Sequence, residues 1–261
     1  MSHLEKRIKI GKSFGEASKS YDVSARLQRF SGKHLMPWLP IRHNLTVLDL
    51  GSGTGFFTDI FATKYQQVIG VDISKNMLRY AQSKRNQAIH WLEADMANLP
   101  LQSNSVDFVY CNLALQWCEP LEQGISEILR VLKPGGLFAF CTLVDGTLAE
   151  LKTAWSVVDE DQHVIDFKTV TEINQYFDDH HASLLEQHQK TVVLGYADVI
   201  HLANELKGLG ANHVPNKQQK GLSGKGKWQV MSDAYQQYKV SDGALPASYQ
   251  LFFGLAVKLN V

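Results

Sequence analysis

Three cysteines in 261 residues, Cys111, Cys118 and Cys141, with no C-x-x-C pair among them, argue against a disulfide framework or a zinc site. An odd number of thiols points to free side chains in a reducing compartment. No apolar run approaches the 18 residues of a membrane span. Residues 1–12 are polar and basic and lack the apolar centre of a secretory leader. These absences predict a cytoplasmic protein with no membrane partner. Net charge is also missing: 26 Lys and Arg balance 26 Asp and Glu, so the overall field gives no reason to expect nucleic acid or another polyanion. No internal repeat is present. His163, His180, His181, His188 and His201 fall at no metal-ligand spacing, so they read as surface residues, and no metal is expected.

The composition is 44% apolar and 20% charged, enough to bury one large α/β domain of residues 1–261. The chain is organised around Val47–Gly55, VLDLGSGTG. Four residues with the character of a buried strand run into a turn carrying Gly51, Gly53 and Gly55, and Phe56–Phe61 then has helical apolar spacing. Strand, glycine turn and helix form the first half of a nucleotide-binding βαβ unit. Without Cβ atoms the turn reverses tightly and lets a ligand approach the backbone.

Residues 1–40 read as a helical arm: Phe14, Ala17, Tyr21, Leu27, Phe30 and Leu35 share a face, and Pro37 and Pro40 end it. The arm is basic (Arg7, Lys9, Lys12, Lys19, Arg26, Arg29, Lys33), the pattern of a solvated or partner-binding face. Short apolar runs then recur at 68–72, 89–92, 106–111 and 137–142. Between them lie a helix with Ser74 as N-cap and another from about Leu121 to Val131, which Lys133–Gly136 breaks. Strands separated by helices predict a parallel sheet covered on both faces. Residues 41–144 thus form a nucleotide-binding core. Residues 145–186 read as a polar helical insertion and residues 187–261 as C-terminal strands and helices. In that last part Thr191–Leu194 is a sixth strand, 197–207 and 228–238 are helices, 208–226 is a mobile basic loop, and 248–257 is a long aromatic strand.

Asp72 ends the second strand, 21 positions after Gly51. A carboxylate there can accept both hydroxyls of a ribose. A dinucleotide and S-adenosylmethionine are both open at this point. Position 56 is Phe, so the turn is G-x-G-x-G and not the G-x-G-x-x-G of a pyrophosphate site. A second acidic residue, Asp95, ends the third strand beside Met96, a pair suited to an adenine amino group and ring. Together with Leu132-Lys-Pro-Gly-Gly136, these features resemble the class I S-adenosylmethionine-dependent methyltransferases over residues 40–145. The resemblance implies a Rossmann-like seven-stranded α/β sheet whose last strand is antiparallel.

Further motifs, Phe14-Gly15-x-Ala17-x-x-x-Tyr21, Leu113–Cys118, Thr142–Leu151, Leu206–His213 and Tyr249-x-Leu251-Phe252-x-Gly254, are similar to the malonyl-[acyl-carrier protein] O-methyltransferases of bacterial biotin synthesis. Ser52 stands where relatives often have Cys, and residues 216–226 match no pattern of that family. The resemblance implies that Asp49, Gly51, Ser52, Gly53 and Gly55 form the methionine-side turn, that Asp72 and Ile73 hold the ribose with Met77 nearby, and that Asp95, Met96 and Ala97 hold the adenine. Asn112 and Leu113 would line the pocket below the sulfonium, with Tyr21 and Gln116 near the transferred methyl. Lys207, His213 and Thr142 are candidates to hold the acceptor. The implied reaction is methyl transfer to the carboxylate of a malonyl thioester, on acyl-carrier protein or coenzyme A. Segments 1–40, 145–186 and 208–226 would close as a lid. Arg26, Arg29 and Lys33, or Lys217, Lys220, Lys225 and Lys227, would face an acidic carrier protein. A methyltransferase of another small molecule, a non-catalytic binder of the same fold and a dehydrogenase are the competing readings, the last disfavoured by Phe56.

Overall fold

A computed structural model describes residues 2–178, 182–211 and 224–259, with the backbone alone for Lys225. Its centre is one seven-stranded sheet. Strands β1 (Thr46–Leu50), β2 (Gln67–Asp72), β3 (His90–Glu93), β4 (Val106–Asn112), β5 (Leu132–Leu143), β6 (Ala182–Tyr196) and β7 (Leu245–Lys258) lie in the order β3-β2-β1-β4-β5-β7-β6. The first five pair in parallel, and β7 runs antiparallel to both β5 and β6. This is the sheet that the motif resemblance implies. After β1 the chain builds outward through β2 and β3, then returns to the other side of β1 with β4. That reversal leaves a crevice at the carboxyl ends of β1 and β4, where ligands of doubly wound sheets sit.

Both faces of the sheet are covered, which explains the near-continuous apolar runs. Side chains alternate between the faces. Val47, Phe108 and Tyr110 pack on one side with Phe61 of α4 (Phe56–Ala62). Leu48, Leu50, Val109 and Cys111 pack on the other with Ile125 and Ile128 of α6 (Leu121–Val131) and with Phe138 and Phe140. The period of two places Asp49 on the same face as Val47, inside the core, and it is 3% exposed. All three cysteines are buried and unpaired.

The arm is helical but bends. A capping box, with Glu5 N–H donating to Ser2 Oγ and Ser2 N–H to the Glu5 carboxylate, starts α1 (His3–Glu16). A turn at residues 17–20 redirects the chain into α2 (Tyr21–Ser24) and α3 (Arg26–Leu35). Helix α1 packs on α5 (Lys75–Lys84), and α3 packs on β4 and β5.

Beyond β5 several expected boundaries are corrected. The insertion contains α7 (Ala149–Ser156) and α8 (Val170–Asp178), but it does not reach residue 186, because β6 begins at Ala182. The sixth strand extends well past Thr191–Leu194 in both directions. Glu186 to Lys190 disguised it: β6 is a sheet edge exposed along most of its length, where charged residues are tolerated and discourage pairing with other chains. Helix α9 (Val199–Gly208) matches its expectation, whereas α10 (Gly224–Tyr235) starts inside the expected basic loop and ends in a short 3-10 turn at residues 236–238. The rest of that loop, residues 212–223, lies outside the described residues.

Gly254 on β7 lies directly under the ring of Phe140, where a Cβ would fall well inside contact distance. Phe140 is fully buried and stacks on Phe177 at 5.3 Å and on Phe138 at 5.0 Å, so it has nowhere to move. Gly254→Ala is expected to destabilise the fold by about 1–3 kcal/mol through overpacking, despite the smaller entropic gain from losing a glycine. A lower urea midpoint at unchanged slope would be the measurement.

Candidate active site

The turn after β1 places Gly51, Gly53 and Gly55 at φ of +73°, +55° and +74°, a region that disfavours side chains. A Cβ on Gly51 would also collide with Ala114. The turn is tied to the end of β2. Gly51 and Ser52 N–H donate to the Val71 carbonyl at 2.8 and 2.9 Å, and Gly53 N–H donates to Asp72 Oδ2 at 2.9 Å. Ser74 N–H donates to the other Asp72 oxygen at 2.8 Å. Burial pushes the Asp72 pKa up, and these two amides work against that shift. The carboxylate is thereby oriented while each oxygen keeps acceptor capacity, an arrangement suited to a vicinal diol.

A cleft of about 710 Å³, its open side included, starts at this point. Gly51, Gly53, Asp72, Ile73, Met77, Asp95, Met96, Asn112 and Leu113 all line it, so most residues singled out from the sequence converge. Gly55 does not line the cleft. It is the N-cap of α4 and lets Trp91 pack against the turn. Ala97 is buried, and its N–H donates to Asp95 Oδ1 at 3.0 Å.

The arm supplies the far wall, through Arg7, Ile10, Gly11 and Phe14. Arg7 is 7% exposed; its Nε donates to Asp95 Oδ2 at 2.8 Å and its Nη1 to the Glu119 carbonyl. It is a wall residue of the cleft, not part of a solvated basic face. One signal in the sequence did mark the approach. Gly11 and Gly15 lie one helical turn apart, and side chains there would meet Ile73 and Ser74.

A recess of about 430 Å³ lies beneath the turn, lined by Tyr21, Gln28, Arg29, Asp49, Ser52 and Asn112 among others. Burial raises the Asp49 pKa to about 7, Thr58 Oγ1, donating to it at 2.5 Å, lowers it, and the negative charge of Asp72 adds to the rise. Gln28 Oε1, Ser52 Oγ and Tyr110 OH, all on this recess, are buried without a hydrogen-bond partner among the described residues. Orphaned polar atoms beside a carboxylate and a guanidinium fit the ammonium and carboxylate of an amino acid.

A second cavity, of about 1290 Å³ with its open side included, adjoins the cleft and shares Phe14, Tyr21, Leu113 and Trp117 with it. Its walls are mostly apolar, drawn from α3, α7, α9 and α10 and including Leu151, Trp155, Leu202 and Trp228. Tyr21 sits at the junction. Burial, then the nearby charges of Asp72, Asp22 and Asp49, push its pKa upward, so the phenol stays protonated. Gln116 lines the second cavity, its Nε2 donating to the Leu113 carbonyl at 2.8 Å and its Oε1 accepting from Thr142 Oγ1 at 3.1 Å. Thr142 itself faces a neighbouring groove.

Three expectations need correction, and a fourth lies outside the described residues. Lys207 is exposed on α9 and lines none of these cavities, because the inner face of that helix presents Leu202 and Leu206. His213, Lys217 and Lys220 lie outside the described residues. His163 is not a surface residue. It is 8% exposed, stacks on Trp155 at 3.7 Å and meets Asp159 Oδ1 at 2.7 Å, and Asp159 also accepts from Lys227 Nζ at 2.6 Å. These two partners, Lys227 foremost, lower the Asp159 pKa to about 2. Arg26 and Arg29 are not a free basic patch either. Arg26 pairs with Glu205 at 2.9 Å and lies over the Tyr196 ring, while Arg29 lies over Phe56 and donates to the Asp22 carbonyl.

Over 246 residues the chain is 37% identical to the malonyl-[acyl-carrier protein] O-methyltransferase of Pectobacterium atrosepticum, with 94% of each chain covered. The chain belongs to the malonyl-[acyl-carrier protein] O-methyltransferase family. Residues 48–140 match the family described as methyltransferase domain. The biotin biosynthesis bifunctional protein BioHC of Cellvibrio japonicus is 40% identical over 246 residues, which cover 94% of this chain and 49% of that one, so the chain spans about half of that relative. A solved S-adenosylmethionine-dependent methyltransferase from Mesorhizobium loti has the same fold, with a TM-score of 0.55 at 18% identity over 86% of this chain and 96% of that one. The protein is a methyltransferase whose methyl donor is S-adenosylmethionine. The cleft and recess fit that donor on their own terms, through the diol-binding geometry of Asp72 and the orphaned polar atoms beneath the turn.

Between the ordinary carboxyl pKa near 4 and about 7, the folded protein binds more protons at Asp49 than the unfolded chain does. Stability therefore falls as pH rises through that window and levels off above it. Asp49→Asn is expected to shrink this fall, measured as urea midpoints from pH 4.5 to 8. It should also weaken S-adenosylhomocysteine binding above pH 7, where the wild-type carboxylate is ionised and available to an ammonium.

Proposed function

We propose that this methyltransferase transfers the methyl group of S-adenosylmethionine to the free carboxylate of a malonyl thioester on acyl-carrier protein. The product is a methyl ester that enters biotin synthesis, and the enzyme works in the cytoplasm. The observation that carries this reading is the extent of the family match. It covers 94% of the chain, far more than the generic domain at 48–140, and so includes the arm, the insertion and the C-terminal helices that wall the second cavity. That cavity is the acceptor site in this reading, and coenzyme A would serve as an alternative carrier of the same thioester.

Bound in the cleft, the donor supplies an electrophilic methyl on a sulfonium. Asp72 would hold the ribose hydroxyls, with Ile73 and Met77 packed alongside. Asp95, Met96 and Ala97 would hold the adenine. Asp49, Ser52 and Gln28 would face the methionine tail, and Asn112 and Leu113 would line the pocket below the sulfonium. A malonyl carboxylate is ionised at neutral pH, so the chain needs no general base. Its contribution is alignment, for which proximity effects reach roughly 7–11 kcal/mol. Attacking anion and sulfonium cation neutralise each other as the bond forms. Phe14, Leu113 and Trp117, which wall the junction, keep water from stabilising the separated charges. Tyr21 stands at the junction as a neutral donor, and Gln116, already committed to Leu113 and Thr142, shapes the wall beside it. The apolar stretch toward Trp155 and Trp228 suits the methylene-rich arm of the thioester.

Incubating the protein with S-adenosylmethionine and malonyl-carrier protein should add the mass of one methyl group to the carrier, and methyl transfer only to other small acceptors would sink the proposal. Tyr21→Phe is expected to lower kcat/KM by roughly fivefold, the worth of about one hydrogen bond. Lys207→Ala, on the exposed face of α9, should stay within about twofold of wild type.

A further inference from the structure

Gln28, on the first turn of α3, carries two observations that the donor site alone does not absorb. Its main-chain carbonyl is fixed, accepting from Asn112 Nδ2 at 2.8 Å and from Ser31 Oγ at 3.2 Å. Its side-chain amide is left free: Oε1 is buried without a partner, and Nε2 makes no hydrogen bond among the described residues. Gln28 and Tyr21 are also the two residues that line both the recess beneath the glycine turn and the acceptor cavity. A primary amide is a donor at one end and an acceptor at the other, so a residue in this wall can serve two ligands of opposite charge.

The second observation is what the acceptor cavity lacks. Among the described residues no Lys or Arg lines it. Its one carboxylate, Glu205, is taken by Arg26 and Tyr196, and the Nε2 of its one histidine, His163, is held by Asp159. Among the described residues, a carboxylate entering this cavity is met by neutral donors. Such donors suit the chemistry. The acceptor's negative charge disappears as the methyl transfers, so a fixed cation would stabilise the ground state more than the transition state and raise the barrier. A neutral amide orients the oxygen with less of that penalty.

We propose that Gln28 is a specificity-determining residue of the acceptor site: its amide N–H donates to the acceptor's carboxylate, and its amide oxygen accepts from the methionyl ammonium in the recess. This rests on the reading that the acceptor is a carboxylate. The amide then joins the two ligands through one side chain, so that each favours the binding of the other.

Two variants of the full chain test this, Gln28→Glu and Gln28→Met. Three quantities are measured for each: the Kd for S-adenosylhomocysteine by calorimetry, the KM for malonyl-carrier protein, and the Ki of the methyl ester product, which has no charge at that end. Gln28→Glu keeps an oxygen for the ammonium but repels the acceptor. Its Kd for S-adenosylhomocysteine should stay within about threefold of wild type, while KM rises about tenfold or more and the Ki of the ester moves far less. Gln28→Met removes both functions at similar volume. Both Kd and KM should rise several-fold, again with the acid losing more than the ester. A wild-type KM in Gln28→Glu, or equal losses for acid and ester in Gln28→Met, overturns the assignment. If Gln28→Glu does not fold, judged by circular dichroism, the acid-to-ester ratio in Gln28→Met decides alone. Wild-type enzyme that forms no malonyl methyl ester would overturn the carboxylate reading itself, a result separate from either variant's ratio to wild type.

Discussion

The hydrogen bond from the Gly53 amide to the Asp72 carboxylate, 2.9 Å long, is the constraint from which the site follows. It ties the turn after β1 to the end of β2 and fixes where two neighbouring parallel strands stop relative to each other. The turn can make this bond because Gly51, Gly53 and Gly55 all adopt positive φ, and the tight reversal leaves its amides pointing at β2. With the ends fixed, the cleft above β1 and β4 acquires its floor, and the recess below the turn acquires its roof.

The site concentrates charge that the rest of the core avoids. Asp49 lies among apolar side chains, its carboxyl raised to about 7 by burial. Asp72 is raised for the same reason. The Arg7–Asp95 pair is nearly buried, with side chains 9% and 11% exposed. Buried charge of this kind adds little to stability against a well-packed apolar alternative, and perturbed carboxyls in a cleft are a mark of function. Their cost is offset elsewhere, where Phe108, Phe138, Phe140, Phe252 and Phe253 of the sheet and Phe177 of α8 are fully buried.

The two halves of the site have different origins in the chain. The donor cleft comes from strand ends within one stretch, residues 50–118, closed by α1. The second cavity, the acceptor site of the proposed reading, comes from α3, α7, α9 and α10 and from residues between α7 and α8, far apart in sequence. Tyr21 joins the halves, and its neighbour Asp22 places it: Asp22 accepts from Thr54 Oγ1 of the turn at 2.5 Å and from Arg85 Nη2 at 2.7 Å. The arm is thus fastened to the turn that it covers. The fold alone is shared with structures only 18% identical, so in the proposed reading selectivity rests with these outer helices.

Local chemistry in the sequence was sufficient to determine the strands β1 to β5, except that β5 starts at Leu132 and takes in the expected break at 133–136, together with the glycine turn and the roles open to Asp72, Asp95 and Met96. Each of these depends on residues close in the chain, on an alternation of period two or on a turn that only glycine can make. The arm's helices were legible from apolar spacing for the same reason. Tertiary structure decided the rest. Arg7 reads as a surface cation until α1 docks and brings it to Asp95. His163 reads as a surface residue until Trp155 of α7 stacks on it and Asp159, held by Lys227 of the distant α10, meets its ring, and Lys207 reads as a candidate ligand until α9 turns it outward. The length of β6 was hidden because an exposed edge strand carries the polar residues of a loop. Gln28 had no signature in the sequence, because what sets it apart is an amide without partners among the described residues, in a wall between two cavities. That property belongs to the packing of α3 against β4 and β5, and no local pattern encodes it.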